Sequence, residues 1–145
     1  MKKLSVGILG FGTVGGGTYE ILTKNHDLIT QRTGVSIDVV KALVRKHRAG
    51  IPAHLTTEDP DDILKEPSID VVVETMGGIE PATAFILHAM ENGKHGGTEN
   101  KAAVAANYEK LQAAAAKNQV QFLFEASVGG GIPVLTAIQN ALQGN

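Results

Sequence analysis

The chain has 145 residues, a mass of 15.2 kDa and no cysteine; at roughly 100–200 residues per domain that is one domain, and disulfides, thiolate catalysis and cysteine-ligated metals are excluded. Hydrophobic residues make up 43% and charged residues 19%, enough apolar surface for a packed core and too much for a disordered chain. A formal charge of −2 with no long basic run argues against broad binding to nucleic acid or to an anionic membrane, and no window of about 18 apolar residues exists to span one.

Met1-Lys2-Lys3 and the apolar run behind them begin like a secretion signal, but glycines and Tyr19-Glu20 interrupt the run too early; with no cysteine to protect, cytoplasmic residence is the expectation. Leu4 to Leu9, apolar with β-branched members and closed by Gly10, predicts a buried strand. From Thr13 the period changes, and Val14, Thr18, Ile21 and Leu22 mark one face of a helix. Residues 25–35 are polar and predict the frayed end of that helix and a loop. Ser36 to Val44 predicts a second strand, followed by the basic stretch Arg45-Lys46-His47-Arg48. Residues 49–58 fit no element. Asp59-Pro60 has the form of a helix cap followed by proline at the first helical position. Ile69 to Glu74 is an almost continuous apolar run, as a parallel strand covered on both faces requires.

Gly77-Gly78 predicts a turn, and Pro81 opens a helix with Phe85, Ile86, Ala89 and Met90 on one side and Gly93 as its stop. Residues 94–99 predict a strand in spite of Gly96-Gly97 at its centre. Asn107 is expected to begin the next helix, with Tyr108, Leu111 and Ala115 on its inner face. Val120 to Glu125 predicts the last strand. Gly129-Gly130-Gly131 follows, and Pro133 opens a final helix with an apolar stripe of Leu135, Ile138 and Leu142. Strict alternation of strand and helix predicts an α/β fold, a doubly wound and mainly parallel sheet between two helix layers, with right-handed crossovers. Ligands of such sheets bind at the carboxyl ends of the strands. The chemistry is therefore expected at Gly10–Gly15, Arg45, Glu74–Gly78, Thr98–Lys101 and Glu125–Gly131.

Gly10-Phe11-Gly12-Thr13-Val14-Gly15 matches G-x-G-x-x-G between a strand and a helix, the context that gives this common pattern its value as a dinucleotide-binding turn. Gly10 permits the tight turn, Gly12 lets backbone approach a pyrophosphate, and Gly15 permits close helix–strand packing. Free N–H groups at the helix start, those of Thr13 and Val14 among them, favour an anion. The alternative is a glycine-rich turn without a ligand. Gly16 and Gly17, inside the helix, have no role in this pattern. After the second strand an NAD site places an acid for the ribose 2′-OH; here the chain offers Arg45, Lys46 and Arg48, with no acid before Glu58. Arg45, first past the apolar run, is the candidate for a 2′-phosphate and hence for a preference for NADP over NAD. A solvated basic loop is the alternative. His26, His47, His54, His88 and His95 lack metal-ligand spacing, and Glu74 and Glu125, each ending a strand, are expected to orient backbone or a lysine at the ligand edge. Ser127 lacks the G-x-S-x-G turn of a nucleophile.

The glycine turn, Val73-Glu74-Thr75-Met76-Gly77-Gly78-Ile79-Glu80-Pro81, Asn92-Gly93-Lys94-His95, Asn100-Lys101-Ala102 and Phe124-Glu125-Ala126-Ser127-Val128-Gly129-Gly130-Gly131-Ile132-Pro133 together resemble homoserine dehydrogenase over essentially the whole chain. The resemblance implies a Rossmann-type NAD(P)-binding domain over 1–145 and NAD(P)-dependent interconversion of homoserine and aspartate semialdehyde, in the biosynthesis of threonine and methionine. It implies that Phe11, Thr13 and Val14 contact the cofactor, that Lys101 lies at its nicotinamide end, and that backbone carbonyls of Glu125, Val128, Gly130 and Ile132 hold a sodium ion, a hard cation that prefers oxygen ligands. It further implies a small-molecule substrate, a homo-oligomer, and a substrate-binding and catalytic domain beyond Asn145; the 145 residues alone are then expected to bind cofactor without turning over substrate. This sequence departs from the family at Gly96 and Gly97, where β-branched residues are usual, and at Glu99, where a small or apolar residue is. Two other readings remain. Thr98-Glu99-Asn100-Lys101 vaguely resembles the Glu-Lys-Pro segment of Rossmann oxidoreductases acting on sugars, though the proline is missing. A non-catalytic dinucleotide-binding or sensing module is the other.

Overall fold

A computed structural model describes residues 2–46, 50–98 and 100–124. The elements in chain order are β1 (Lys2–Leu9), α1 (Thr13–Lys24), α2 (His26–Thr33), β2 (Val35–Leu43), a single 3-10 turn (Ala53–Leu55), β3 (Thr56–Thr57), α3 (Asp61–Leu64), β4 (Val71–Glu74), α4 (Ala82–Glu91), β5 (His95–Thr98), α5 (Lys101–Lys117) and β6 (Phe122–Phe124). The six strands form one sheet in the order β3-β2-β1-β4-β5-β6, and every pairing is parallel. No helix among the described residues is long and apolar enough to cross a membrane.

Alternation along β1 sends Leu4, Val6 and Ile8 to one face, where they cluster with Leu22 of α1 and Ile29 of α2. Leu9 and Val72 face the other way, onto Ile63 and Leu64 of α3 and Ala89 of α4. Beyond them, Ile86 and Met90 of α4 pack with Leu111 and Ala115 of α5. Helices thus cover both faces, in the three-layer arrangement that alternating strands and helices dictate. The strands run outward from β1 in opposite directions, to β2 and β3 on one side and to β4, β5 and β6 on the other. The crevice between the carboxyl ends of β1 and β4 is the point where the winding reverses, and open α/β sheets bind ligands there.

Four local expectations need correction. The polar segment after α1 is a second helix, α2. It buries one residue, Ile29, and ends at Gly34 in the left-handed conformation (φ 75°); an apolar stripe one residue wide leaves no periodic signal. The inner face of α1 is Gly15, Thr18 and Leu22, while Val14 and Ile21 are exposed, because the helix makes its closest approach to the sheet at Gly15. Part of the stretch 49–58 adds the two-residue edge strand β3, paired to Ala42 and Leu43 of β2. The helix expected at Asn107 begins six residues earlier, at Lys101, where the Asn100 side chain accepts a hydrogen bond from the Ala103 N–H at 3.1 Å. Asn107 instead marks a kink with non-helical backbone (φ −137°, ψ 25°), and Tyr108 is half exposed.

Gly96 and Gly97 do not prevent β5 from forming. Each is paired on both sides, with Val72 and Val73 of β4 and with Phe122 and Leu123 of β6. The volume a side chain would need at 96 is taken by α4: a Cβ there would lie 3.0 Å from Ile86 Cγ2 and 3.3 Å from Met90 Cγ. Glu99 and residues 125–145, with the Gly129–Gly131 turn and the expected final helix, lie outside the described residues.

The amino edge of the sheet carries a buried cation. Lys94 is 3% exposed, and its Nζ donates to the carbonyls of Glu66 and Ile69, the latter at 3.0 Å. Desolvation depresses its pKa, against the pull of Glu66 and Asp70. Next to it, His95 Nδ1 accepts the Gln121 N–H at 3.0 Å, and burial lowers its pKa below the ordinary 6.5. A depressed histidine contributes stability that is present above its unfolded pKa and lost as pH falls through the folded one, because the unfolded chain takes up the proton first. The acid-side fall in unfolding free energy below about pH 6.5 is therefore expected to be shallower in His95→Asn, whose side-chain oxygen keeps the acceptor without the titration. Urea melts of both proteins at intervals from pH 7.5 to 4.5 measure the difference, which one proton limits to about 1.4 kcal/mol per pH unit; parallel profiles would assign the acid sensitivity elsewhere.

Candidate functional site: a glycine turn at the sheet's switch point

The carboxyl edge is built from three loops that lock onto one another. Gly10 leaves β1 with φ 98°, a conformation that favours glycine, and its N–H donates to Leu43 O at 3.2 Å, tying the turn to the end of β2. A Cβ on Gly10 would sit 2.8 Å from Met76 Cγ. From the other side, Thr75 Oγ1 lies 3.0 Å from Leu9 O and 3.1 Å from Gly10 O, and the Thr75 N–H donates to Leu9 O at 2.9 Å. Phe11 turns its ring into the core, where it is 9% exposed and meets Tyr19 edge-on at 5.6 Å between centroids. Its side chain anchors the turn, which leaves only its backbone for a ligand.

The two remaining glycines have opposite surroundings. Among the described residues nothing lies within 4 Å of a Cβ built on Gly12, whereas one on Gly15 would lie 2.4 Å from Gly10 O and 2.7 Å from Thr75 Oγ1. Gly12 thus presents open space to the outside, and Gly15 is the point where helix meets strand. No side chain caps α1 at Gly12, and the first intrahelical bond is Gly16 N to Gly12 O at 2.8 Å. The N–H groups of Thr13, Val14 and Gly15 fall in the first turn, where an α-helix offers no internal partner. Together with the helix dipole, such free donors at a helix start favour an anion. Thr13 and Val14 are exposed there.

Arg45 is exposed in the bend after β2, two residues beyond the carbonyl that holds Gly10. Lys46 is exposed with it, and His47 and Arg48 lie outside the described residues. The fold therefore brings the arginine to the same edge as the turn, on the β2 side. On the β4 side stands a group whose connections the sequence did not reveal. Glu74 is fully buried at the end of β4. One carboxylate oxygen accepts the N–H groups of Met76 (2.6 Å) and Gly77 (3.1 Å), and the other accepts the Thr98 hydroxyl (2.6 Å). Thr98 Oγ1 in turn accepts the Asn100 N–H at 2.9 Å, and Asn100 Nδ2 donates to Gly78 O. Lys101, exposed, is the first residue of α5. The expectation that Glu74 orients backbone at this edge holds. Asn100 had a readable signal, since asparagine favours the N-cap position; Thr75 and Thr98 had none, because Leu9 and Gly10, which hold Thr75, and Glu74, which Thr98 bonds, are 24 or more residues away from them.

No group of three or more histidine or acidic side chains among the described residues is arranged to hold a metal. The sodium-site residues Glu125, Val128, Gly130 and Ile132 lie outside the described residues.

Known proteins resemble this chain in sequence and in fold. Homoserine dehydrogenase of Pseudomonas aeruginosa is 43% identical across the whole chain, and that of Bacillus subtilis is 35% identical over 98% of it; the chain corresponds to 34% of each. A crystal structure of homoserine dehydrogenase from Thiobacillus denitrificans superposes on all of the chain with a TM-score of 0.84 at 44% identity, again using 34% of that protein. The chain thus spans about a third of the length of the curated relatives it matches. The sequence model of the family described as the NAD-binding domain of homoserine dehydrogenase matches residues 10–125, from the first glycine of the turn to one residue beyond β6, and the chain belongs to that family.

Proposed function

We propose that residues 1–145 are the dinucleotide-binding domain of an NAD(P)-dependent homoserine dehydrogenase, an oxidoreductase that interconverts L-homoserine and L-aspartate 4-semialdehyde. The observation that carries this is the contrast within the glycine turn, open at Gly12 and closed at Gly15, at the point where the sheet's winding reverses. When bound, the nicotinamide supplies the acceptor or donor of the hydride. The chain's own residues bind and orient. The first-turn N–H groups of α1 hold the pyrophosphate, Gly12 admits it, and Phe11 fixes the turn from below. Lys101 stands at the nicotinamide end. The small-molecule substrate, its catalytic residues and the homo-oligomeric state belong to the same proposal for the whole protein.

Arg45 supports a preference for NADP(H): it is exposed at the end of β2, and an acid that would accept a 2′-OH is absent from the sequence there. Calorimetric titration tests both levels. NADPH is expected to bind at least about tenfold more tightly than NADH, as one charge-assisted contact to the 2′-phosphate provides. Arg45→Ala should remove that margin and leave NADH unchanged. Equal affinities untouched by the substitution would overturn the preference, and failure of both nucleotides to bind would overturn the cofactor site. A sodium ion held by carbonyls of Glu125, Val128, Gly130 and Ile132 rests on the resemblance alone; repeating the titration in potassium in place of sodium probes it.

A further inference from the structure

A dinucleotide across the switch point lies over two halves of the sheet. The adenosine half belongs to β1–β3, where the residue at the end of β2 reads the ribose, and the nicotinamide half to β4–β6. The loops at the end of β4 and β5 therefore have to keep one shape for the second half to bind. Gly77 and Gly78 both have positive φ (82° and 74°), and among the described residues neither is crowded; Met76 packs against the cluster of Leu9 and Val72, and hydrogen bonds hold the rest of the turn. Those bonds converge on Glu74, whose carboxylate is fully buried and receives three donors. Thr98, also fully buried, passes the connection to the Asn100 N–H. Asn100 closes it in two directions, with Nδ2 to Gly78 O and Oδ1 to the Ala103 N–H at the start of α5. The Met76–Gly78 turn and the first turn of α5, with Lys101 on it, are thereby linked through the side chains of Glu74, Thr98 and Asn100.

We infer that Glu74, Thr98 and Asn100 are positioning residues for the nicotinamide half of the cofactor, acting through the Met76–Gly78 turn and Lys101. The inference rests on the proposed cofactor site. It separates from a general structural role because the adenosine half is held by a different set of contacts, the glycine turn and Arg45.

The test compares NADPH with 2′-phospho-ADP-ribose, which keeps the adenosine half and both linking phosphates but lacks nicotinamide. Thr98→Val removes the hydroxyl at nearly constant volume, and Glu74→Gln replaces one acceptor oxygen with a donor facing donors. Each is expected to weaken NADPH by about tenfold, the effect of one broken buried hydrogen bond to a charged group, and to leave 2′-phospho-ADP-ribose within about twofold. Thr98→Ser, which keeps the hydroxyl, should restore NADPH binding. Equal losses for both ligands, or no loss for either, would overturn the positioning role while leaving the cofactor site standing. A wild-type chain that binds neither ligand would overturn both. If Glu74→Gln fails to fold, the Thr98 pair decides the matter.

Discussion

Gly15→Ala is expected to destabilise the domain by about 1–3 kcal/mol net, the range for forcing an extra carbon into a packed site, although alanine is the better helix former by about 1 kcal/mol. The added methyl would stand 2.4 Å from Gly10 O, 3.0 Å from Gly10 C and 2.7 Å from Thr75 Oγ1. None of these atoms has an easy retreat. The Gly10 N–H is bonded to Leu43 O, and Thr75 is bonded through both its N–H and its hydroxyl to the end of β1. The route of relief is a shift of α1 away from the sheet, which moves the free N–H groups with it, so dinucleotide affinity should fall along with stability. Gly17→Ala is the matched control on the same helix. Nothing lies within 4 Å of its added carbon, and it should stabilise by about 0.5–1 kcal/mol. Urea unfolding of the two variants reads both signs; a Gly15→Ala midpoint at or above wild type would show that the contact is softer than its geometry.

This contrast also marks what the sequence could and could not convey. G-x-G-x-x-G distinguishes its three glycines by position, and the structure gives Gly10 a positive φ, Gly12 open surroundings and Gly15 a close approach to the end of β1. Gly16 and Gly17 carry no such pattern, and a Cβ on either would meet no atom closer than 3.8 Å. The strands were legible because buried parallel strands are apolar throughout, as Val71–Val73 are. α2 was not, because a helix that buries only Ile29 shows no period. Nor was β3, since two residues paired at an edge are too few to leave a pattern.

The start of α5 was misplaced for a different reason. Apolar spacing pointed to Asn107, the kink, while the cap at Asn100 was a single residue without a hydrophobic repeat behind it. The place of the contiguous glycine motif at the carboxyl edge was legible, and so was that of Arg45, by its position after a strand. The Glu74–Thr98–Asn100 connection was not, because it joins three strand ends and helix starts whose proximity exists only once β4 and β5 are paired at Glu74 and Thr98.

Gly12→Val is expected to abolish dinucleotide binding and leave the fold in place. Among the described residues the built Cβ of residue 12 meets no atom within 4 Å. Its backbone (φ −82°, ψ −148°) lies outside the broad regions open to L-residues, so valine adds backbone strain of about 1–3 kcal/mol without a steric clash. The branched side chain would instead fill the gap in front of the Thr13, Val14 and Gly15 N–H groups. A pyrophosphate held there by two such bonds, each worth about 1.5–3 kcal/mol when one partner is charged, would lose on the order of a hundredfold or more in affinity. The signature is a divergence between two measurements on one sample: a cooperative urea transition lowered by no more than that strain, and a calorimetric titration with no NADPH signal. Retained affinity in the folded variant would move the phosphate site away from the glycine turn. Loss of fold with loss of binding would mean that Gly12 is enclosed after all, as Gly15 is. The two substitutions thus act on different targets, three residues apart on one turn, because one glycine faces the protein and the other faces the proposed pyrophosphate site.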